Sequence, residues 1–376
     1  MKRVLEIGQM VAGPAAGLIF ADLGFEVIKI ERPSGGDISR RWPKTSQGAF
    51  PFYNRGKKSL SLDMSTEEGK RILLTLASES DIIFDNLSYG AMDRLGLSYA
   101  TLSSVNPRLI YISIKGYGSG PYQERKSLDF PIEVHSGLAY MTGLKGRPMR
   151  VGTSIVDINA AMFGVIAALN AIIKRYETNK GEFIDVGLFE TALFTMGQHI
   201  ATYQVNNTEL DPINEAGYAW SVYDFFPTLD GKKIFIGVTS DEQWVKFCRG
   251  LELGLCDKAE YSTNKKRYDR KSYLKELITS KTKKMELVQI SELLESMNIA
   301  YSVLNRPWDM LDDVHASGKM VYEMYQGKKI RVPTIPSGTH MTKMRPPALG
   351  QHSDVILRSI GYSESQIQAL KKKKIV

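Results

Sequence analysis

Three glycines and one carboxylate near the start of the chain pose the first chemical question. Gly8, Gly13 and Gly17 follow a short apolar run at 4–7, and Glu31 closes a β-branched run at 27–30. A glycine-containing turn from strand to helix, with an acid ending the next strand, suits a dinucleotide: the helix N-terminus faces the diphosphate and the acid takes the ribose. The spacing is not G-x-G-x-x-G, so a nicotinamide site has an incomplete fingerprint. Gly116, Gly118 and Gly120 flank Ser119 without forming the G-x-S-x-G turn of a serine hydrolase. They read equally as a tight turn after a strand and as a place where backbone approaches a ligand. There is no G-x-x-x-x-G-K-[ST] loop. His135, His199, His315, His340 and His352 show no metal-ligand spacing, so no metal centre is expected. Asp157 stands just before an apolar helical run; taken alone, it is a preferred N-cap.

The elements that must position these residues follow from the apolar pattern. The run at 4–7, Pro14 where a first helical turn tolerates proline, Gly24 as a stop and the run at 27–30 make a βαβ unit. Its parallel strands imply a sheet covered on both faces, with ligands bound beyond the strands' carboxyl ends. A helix at 67–78 and strands at 82–84 and 109–114 repeat the theme. Ile158, Ala161, Met162, Val165, Leu169 and Ile172 recur every three or four residues and predict a long buried helix. The fold class is therefore α/β. Polar residues from 206 and a strand at 232–238 mark a change of domain, and Pro333, Pro336, Pro346 and Pro347 mark a connector to a terminal helix. The expected divisions are 1–205, 206–330 and 331–376. The lysines at 371–374 read as a solvated helix end.

Composition limits the function classes. A chain of 376 residues, 43% hydrophobic and 24% charged, is long enough for about two domains and can bury a large core. A net charge of +8 favours an anionic ligand, either nucleic acid or a phosphorylated cofactor. Two cysteines, Cys248 and Cys256, do not make a disulfide scaffold, and a reducing cytoplasm is the simpler expectation. The longest apolar stretch, 160–173, falls short of a bilayer span, and Glu6 and Gln9 interrupt any signal-like start, so neither membrane insertion nor secretion is expected.

The residues resemble a known family. The opening Val4-Leu5-Glu6-Ile7, Ala12-Gly13-Pro14 and Ala21-Asp22-Leu23-Gly24, then Gly36-Asp37 with Arg40, Asn54-Arg55-Gly56-Lys57-Lys58-Ser59-Leu60, Arg94-Leu95-Gly96, Asn106-Pro107-Arg108 and Leu349-Gly350 are similar, in order, to the blocks of the family III CoA-transferases. That resemblance implies a large Rossmann-like domain with a smaller inserted α+β domain and an interlocked, ring-shaped homodimer. It implies an enzyme that transfers CoA from an acyl-CoA to a free carboxylic acid, with CoA as substrate and product, no tightly bound cofactor and no nucleic-acid partner. By the same resemblance Asp157 is the catalytic residue, while Val11, Arg32, Asn86, Arg94, Gly116 and Gly118 surround the CoA. Arg40, Lys57 and Lys58 are weaker candidates. Gln9 lies near the reacting thioester in this pattern, and backbone N–H groups at the helix start or in the glycine loop would stabilise oxyanions.

The sequence departs from the pattern in places. Ala161 replaces a glycine four residues after Asp157, and Leu87-Ser88 replaces an aromatic-and-proline segment. No run of four glycines lies between Asp185 and Phe235, which argues against an oxalate-type substrate. Two other functions remain open. An α-methylacyl-CoA racemase would pair Asp129 with a preceding histidine, but that place is Leu128 and His135 lies further on. A CoA-binding protein without turnover would have no chemical need of Asp157.

Overall fold

The computed structural model describes residues 2–216, 219–336 and 345–376; His340 lies outside the described residues. The chain divides into two compact units, one formed by Met1–Pro212 with Gly318–Val376 and the other by Ile213–Ser317.

The first unit is built on strands β1 (Arg3–Ile7), β2 (Glu26–Glu31), β3 (Lys58–Ser61), β4 (Ile82–Asp85), β5 (Ile110–Lys115) and β6 (Phe183–Gly187), all parallel, in the order β3-β2-β1-β4-β5-β6. Alternate side chains serve opposite faces. Val4, Val27, Phe84 and Ile112 point to a core shared with helices α1 (Ala12–Asp22) and α5 (Ile155–Thr178). Leu5, Ile28, Leu60 and Ile83 point to a second core with α3 (Glu67–Ser78). Both faces are thus apolar, which explains why the strands read as continuous runs. The chain reverses its direction of travel across the sheet between β1 and β4, and this opens a crevice at their carboxyl ends.

Helix α5 begins three residues before its first periodic apolar residue, Ile158. At 24 residues it is long and apolar enough to cross a bilayer by length and composition, a property that the shorter 160–173 stretch did not suggest. One stripe, including Ala160, Ala161, Val165 and Ala168, is buried against the sheet and α1. Ala161 is wholly enclosed there, so its extra methyl is part of the core. Gly164 sits over β5, where an added Cβ would come within 3.3 Å of Ile112.

The chain re-enters the first unit at Gly318, ahead of the expected boundary at 331. The hairpin β10 (Met320–Tyr325) and β11 (Lys328–Pro333) belongs to this unit. It meets helix α2 (Ala49–Asn54) and the residue after it: Tyr325 lies 6.4 Å from the Phe50 ring, and Arg55 Nη2 donates to the Pro333 carbonyl at 3.1 Å. The first prolines therefore end a hairpin strand and do not mark the change of unit. Helices α7 (Ser353–Ser359) and α8 (Glu364–Lys372) then cover the second face. The His352 N–H donates to the Ser59 carbonyl at 3.0 Å, and Ser61 N–H to Ser353 Oγ at 3.1 Å, which closes the exposed edge of β3.

The second unit carries an antiparallel sheet of β7 (Val222–Pro227), β8 (Lys233–Val238) and β9 (Ala300–Val303). Its own core includes Ile234, Trp244, Phe247, Ile278 and Ile290.

Candidate active site

Helix α4 (Asp129–His135) packs against α5 and supplies the cap at its start. Asp157 is not the N-cap: the helix starts at Ile155, and Ser154 in the cap position makes no side-chain capping bond. Asp129 caps the helix from outside, its Oδ1 accepting the N–H groups of Val156 at 3.0 Å and Asp157 at 3.1 Å. Its Oδ2 accepts from Arg150 Nη2 at 3.2 Å. The Asp157 carboxylate is left without a hydrogen bond among the described residues. Burial and the charge of Asp129 push it up to about 7, against an opposing pull from Arg150. Burial likewise pushes Glu133 up to about 7, although its Oε2 accepts the Val151 N–H at 2.9 Å. Tyr53 joins this group, its hydroxyl pushed up to about 12 by burial and by Asp157 and Asp129. Asp129 and Glu133 therefore share one half-exposed guanidinium, whose charge Asp157 feels without an ion pair. Once ionised, a carboxylate with raised proton affinity is a better nucleophile than an ordinary one.

The turn from β1 to α1 is braced from behind. Asn86 Oδ1 accepts the Gln9 N–H and Asn86 Nδ2 donates to the Gln9 carbonyl, both at 2.9 Å. Gly13 has to be glycine because a Cβ there would stand 2.8 Å from Asn86 Oδ1. The Asn86 amide is committed to this turn. Met10 takes a left-handed backbone (φ 69) and donates its N–H to Asp37 Oδ1 at 3.2 Å. Val11 follows, buried at the start of α1. Beneath the turn Lys29 Nζ reaches Glu6 at 2.7 Å, Asp37 at 2.8 Å and the Gly8 carbonyl at 2.8 Å, while Lys57 pairs with Glu6 at 2.6 Å. Glu31, the candidate ribose acid, is held by Arg40 at 2.7 and 2.8 Å and by Ser59 Oγ at 2.6 Å. It has no oxygen to spare for a ribose.

Beyond the carboxyl ends of β1, β2 and β3 lies a cleft of about 1280 Å³. Gly8 and Gln9 line it, as do the apolar Leu87 and Leu95. Its cations are Arg32, Arg41, Lys371 and Lys374. Arg32 is exposed, and its side chain makes no hydrogen bond or ion pair among the described residues. Arg94 is not on this cleft: its guanidinium folds back onto the Tyr89 carbonyl at 3.1 Å and Ser88 Oγ at 3.5 Å. Arg40, Lys57 and Lys58 are paired with Glu31, Glu6 and Glu26. Of the cations singled out in the sequence, Arg32 alone faces the cleft. Arg41 has no sequence signal, and Lys371 and Lys374 belong to the lysine run that reads as a solvated helix end.

The glycine loop stands apart from this cleft, with Gly118 on a separate cavity of about 230 Å³. Gly118 N–H donates to Glu190 Oε2 at 3.0 Å and Ser119 N–H to Asp185 Oδ2 at 2.6 Å. Like the first N–H groups of α5, these donors already have acceptors and are not available to an oxyanion in this arrangement. Gly116 is needed for packing, since a Cβ would lie 2.7 Å from that of Ser127. His135 is a structural residue, bonded through Nδ1 to Tyr117 Oη at 2.9 Å and lying 4.7 Å from the Phe189 ring.

The sequence profile of CoA-transferase family III matches residues 2–353. The chain belongs to that family. Among CoA-transferases, the succinate–glutarate CoA-transferase of Agrobacterium fabrum is 31% identical over 95% of this chain and 94% of its own length. The succinyl-CoA:glutarate CoA-transferase of Mus musculus is 32% identical over 98% of this chain and 88% of its own. A solved CaiB/BaiF family protein from Brucella suis, 30% identical, matches with a TM-score of 0.85 over 96% of this chain and 98% of that one. The protein is a CoA-transferase with the CaiB/BaiF fold, and CoA thioesters are the substrates of such enzymes.

Proposed function

We propose that the protein moves CoA from a donor acyl-CoA to a free carboxylic acid, with Asp157 carrying the acyl group. The observation that carries this reading is the unbonded Asp157 carboxylate, free because Asp129 has taken over the helix cap. An Asp157 oxygen attacks the thioester carbonyl, the C–S bond breaks, and CoA leaves as thiolate with the electron pair, giving a mixed anhydride. The thiolate attacks the Asp157 carbonyl and expels the donor as carboxylate. The acceptor carboxylate then attacks the aspartyl thioester and releases thiolate, forming a second anhydride. Thiolate finally captures the acceptor's acyl group and regenerates Asp157. No proton is gained or lost overall. Both anhydrides are prone to hydrolysis, so turnover depends on keeping water out and thiolate close, where effective concentrations reach about 10⁵ M.

Arg32 supports binding of the CoA phosphates, and Leu87 and Leu95 supply apolar surface for the nucleotide end. The names of the Agrobacterium and mouse relatives favour short dicarboxylic acids as donor and acceptor. A homodimer is supported by exposed apolar side chains on α5 and on helix α6 (Leu188–Asn206), including Phe163, Ile166, Ile173 and Phe194. The racemase reading has little support, because Leu128 stands where its base would be and His135 is engaged with Tyr117.

The test is to incubate the protein with succinyl-CoA, trap with hydroxylamine and locate the adduct by mass spectrometry. A hydroxamate at Asp157 is expected. Its absence across a panel of acyl-CoA donors, together with solvent deuterium entering the α-carbon of a branched acyl-CoA, would install the racemase reading instead.

A further inference from the structure

The lysines at the end of α8 are all exposed, as a solvated helix end requires, but they differ in their partners. Lys371 pairs with Asp354 at 2.7 Å and Lys373 with Glu68 at 3.1 Å. Lys374 lines the cleft with Arg32 and makes no ion pair or side-chain hydrogen bond among the described residues. Its backbone is left-handed, with φ 56. That conformation follows many helices, and glycine normally supplies it because a side chain there is strained.

Lys374 is nevertheless firmly placed. Its N–H bonds the Lys371 carbonyl at 2.9 Å, and the next N–H, from Ile375, bonds the Leu370 carbonyl at 3.0 Å. The Ile375 side chain is buried beside Leu370 in the second core, and its carbonyl accepts the Asp63 N–H at 2.8 Å. A strained, anchored lysine with no internal partner is the kind of outlier that points to a function.

The charges around it indicate the ligand. Of the acids on the cleft, Glu31 is held by Arg40, Asp37 by Lys29 and Asp354 by Lys371. Asp63 accepts from Ser65 through both N–H and Oγ and lies near Arg32. Arg41 and Lys374 are therefore left without an acid partner, and Arg32 has only the charge of Asp63 near it. Building on the CoA-transferase reading, we infer that Lys374, with Arg32, forms a subsite for the terminal 3′-phosphate of CoA and makes the enzyme prefer CoA to its 3′-dephospho form. A phosphomonoester carries nearly two negative charges at neutral pH, more than either phosphate of the diphosphate bridge, and can accept from two cations at once.

The experiment is calorimetric titration of CoA and of 3′-dephospho-CoA into the wild-type protein and into the variants Lys374→Gly, Lys374→Asn and Lys374→Arg. Glycine and asparagine both suit the left-handed backbone, so the charge is removed without disturbing the fold. Both are expected to weaken CoA binding about five- to tenfold and leave dephospho-CoA unaffected, while arginine keeps the preference. If the neutral variants discriminate between the two ligands as well as wild type does, Lys374 is not the phosphate residue and the transferase reading survives. If the wild-type protein binds neither ligand, the CoA reading itself fails, and this subsite with it.

Discussion

Two clusters of buried acids lie in the first unit, and they differ in the cations supplied to them. Under the β1–α1 turn, Glu6, Glu31 and Asp37 are matched by Lys29, Lys57 and Arg40. Burial opposes ionisation there, yet Lys29 holds Asp37 below the usual carboxylate range, and Arg40 with Lys29 does the same for Glu31. Lys57 is the weak member, pulled down to about 8 by burial despite its contact with Glu6. At the start of α5, Asp129, Glu133 and Asp157 have Arg150 alone, and two of the three are pushed up to about 7. The same residue types thus form an ion-paired scaffold where charges are matched and keep carboxyl groups with raised proton affinity where they are not. Stability should depend on the first cluster and turnover on the second.

Three experiments can break or sharpen that division. The largest effect is expected from Asp157→Asn, which should lower steady-state CoA transfer at least about a thousandfold, because it deletes the proposed acyl carrier. Fold stability should survive it, as judged by thermal unfolding. Next comes Lys29→Met, which strands Glu6 and Asp37 without their shared cation. A loss of about 3–5 kcal/mol in chemical denaturation is expected, and a near-neutral result would show that the first cluster is not a structural device. The smallest effect belongs to Asp129→Asn, which leaves an oxygen to cap α5 but removes the neighbouring charge. Acylation needs the ionised form of Asp157, so its rate in wild type should climb as pH passes through about 7. Without the repulsion of Asp129 the proton is lost more easily, and the midpoint should move to lower pH by about one unit, read from single-turnover rates. An unmoved midpoint would assign the raised affinity of Asp157 to burial alone.

The sheet was legible because its signals are local. The runs at 4–7 and 27–30, with Pro14 and Gly24 between them, specify a βαβ unit from side chains a few positions apart. The neighbourhood of Asp157 was legible only in part. Asp157 could be found, but its apparent role as a cap belonged to Asp129, and that bond spans 28 residues between two helices. The same limit applies to the charges. Glu6 and Lys29 stand within apolar strands, and nothing in their spacing announces that they meet across the sheet. Lys374 is exposed, as the sequence suggests; what the spacing does not show is the bond from Asp63 that fixes its neighbour and bridges most of the chain.

The hydrogen bonds joining Ser59 to His352 and Ser61 to Ser353 carry a consequence for biogenesis. On the ribosome, residues 1–212 emerge long before the segment that closes their sheet edge, whereas 213–317 form one continuous stretch with its own core. The inserted unit can reach its final shape first, although it is second in order. Until translation passes residue 350, Leu60, Ile72 and the free edge of β3 lack part of their cover, and the nascent chain is at its most vulnerable to association.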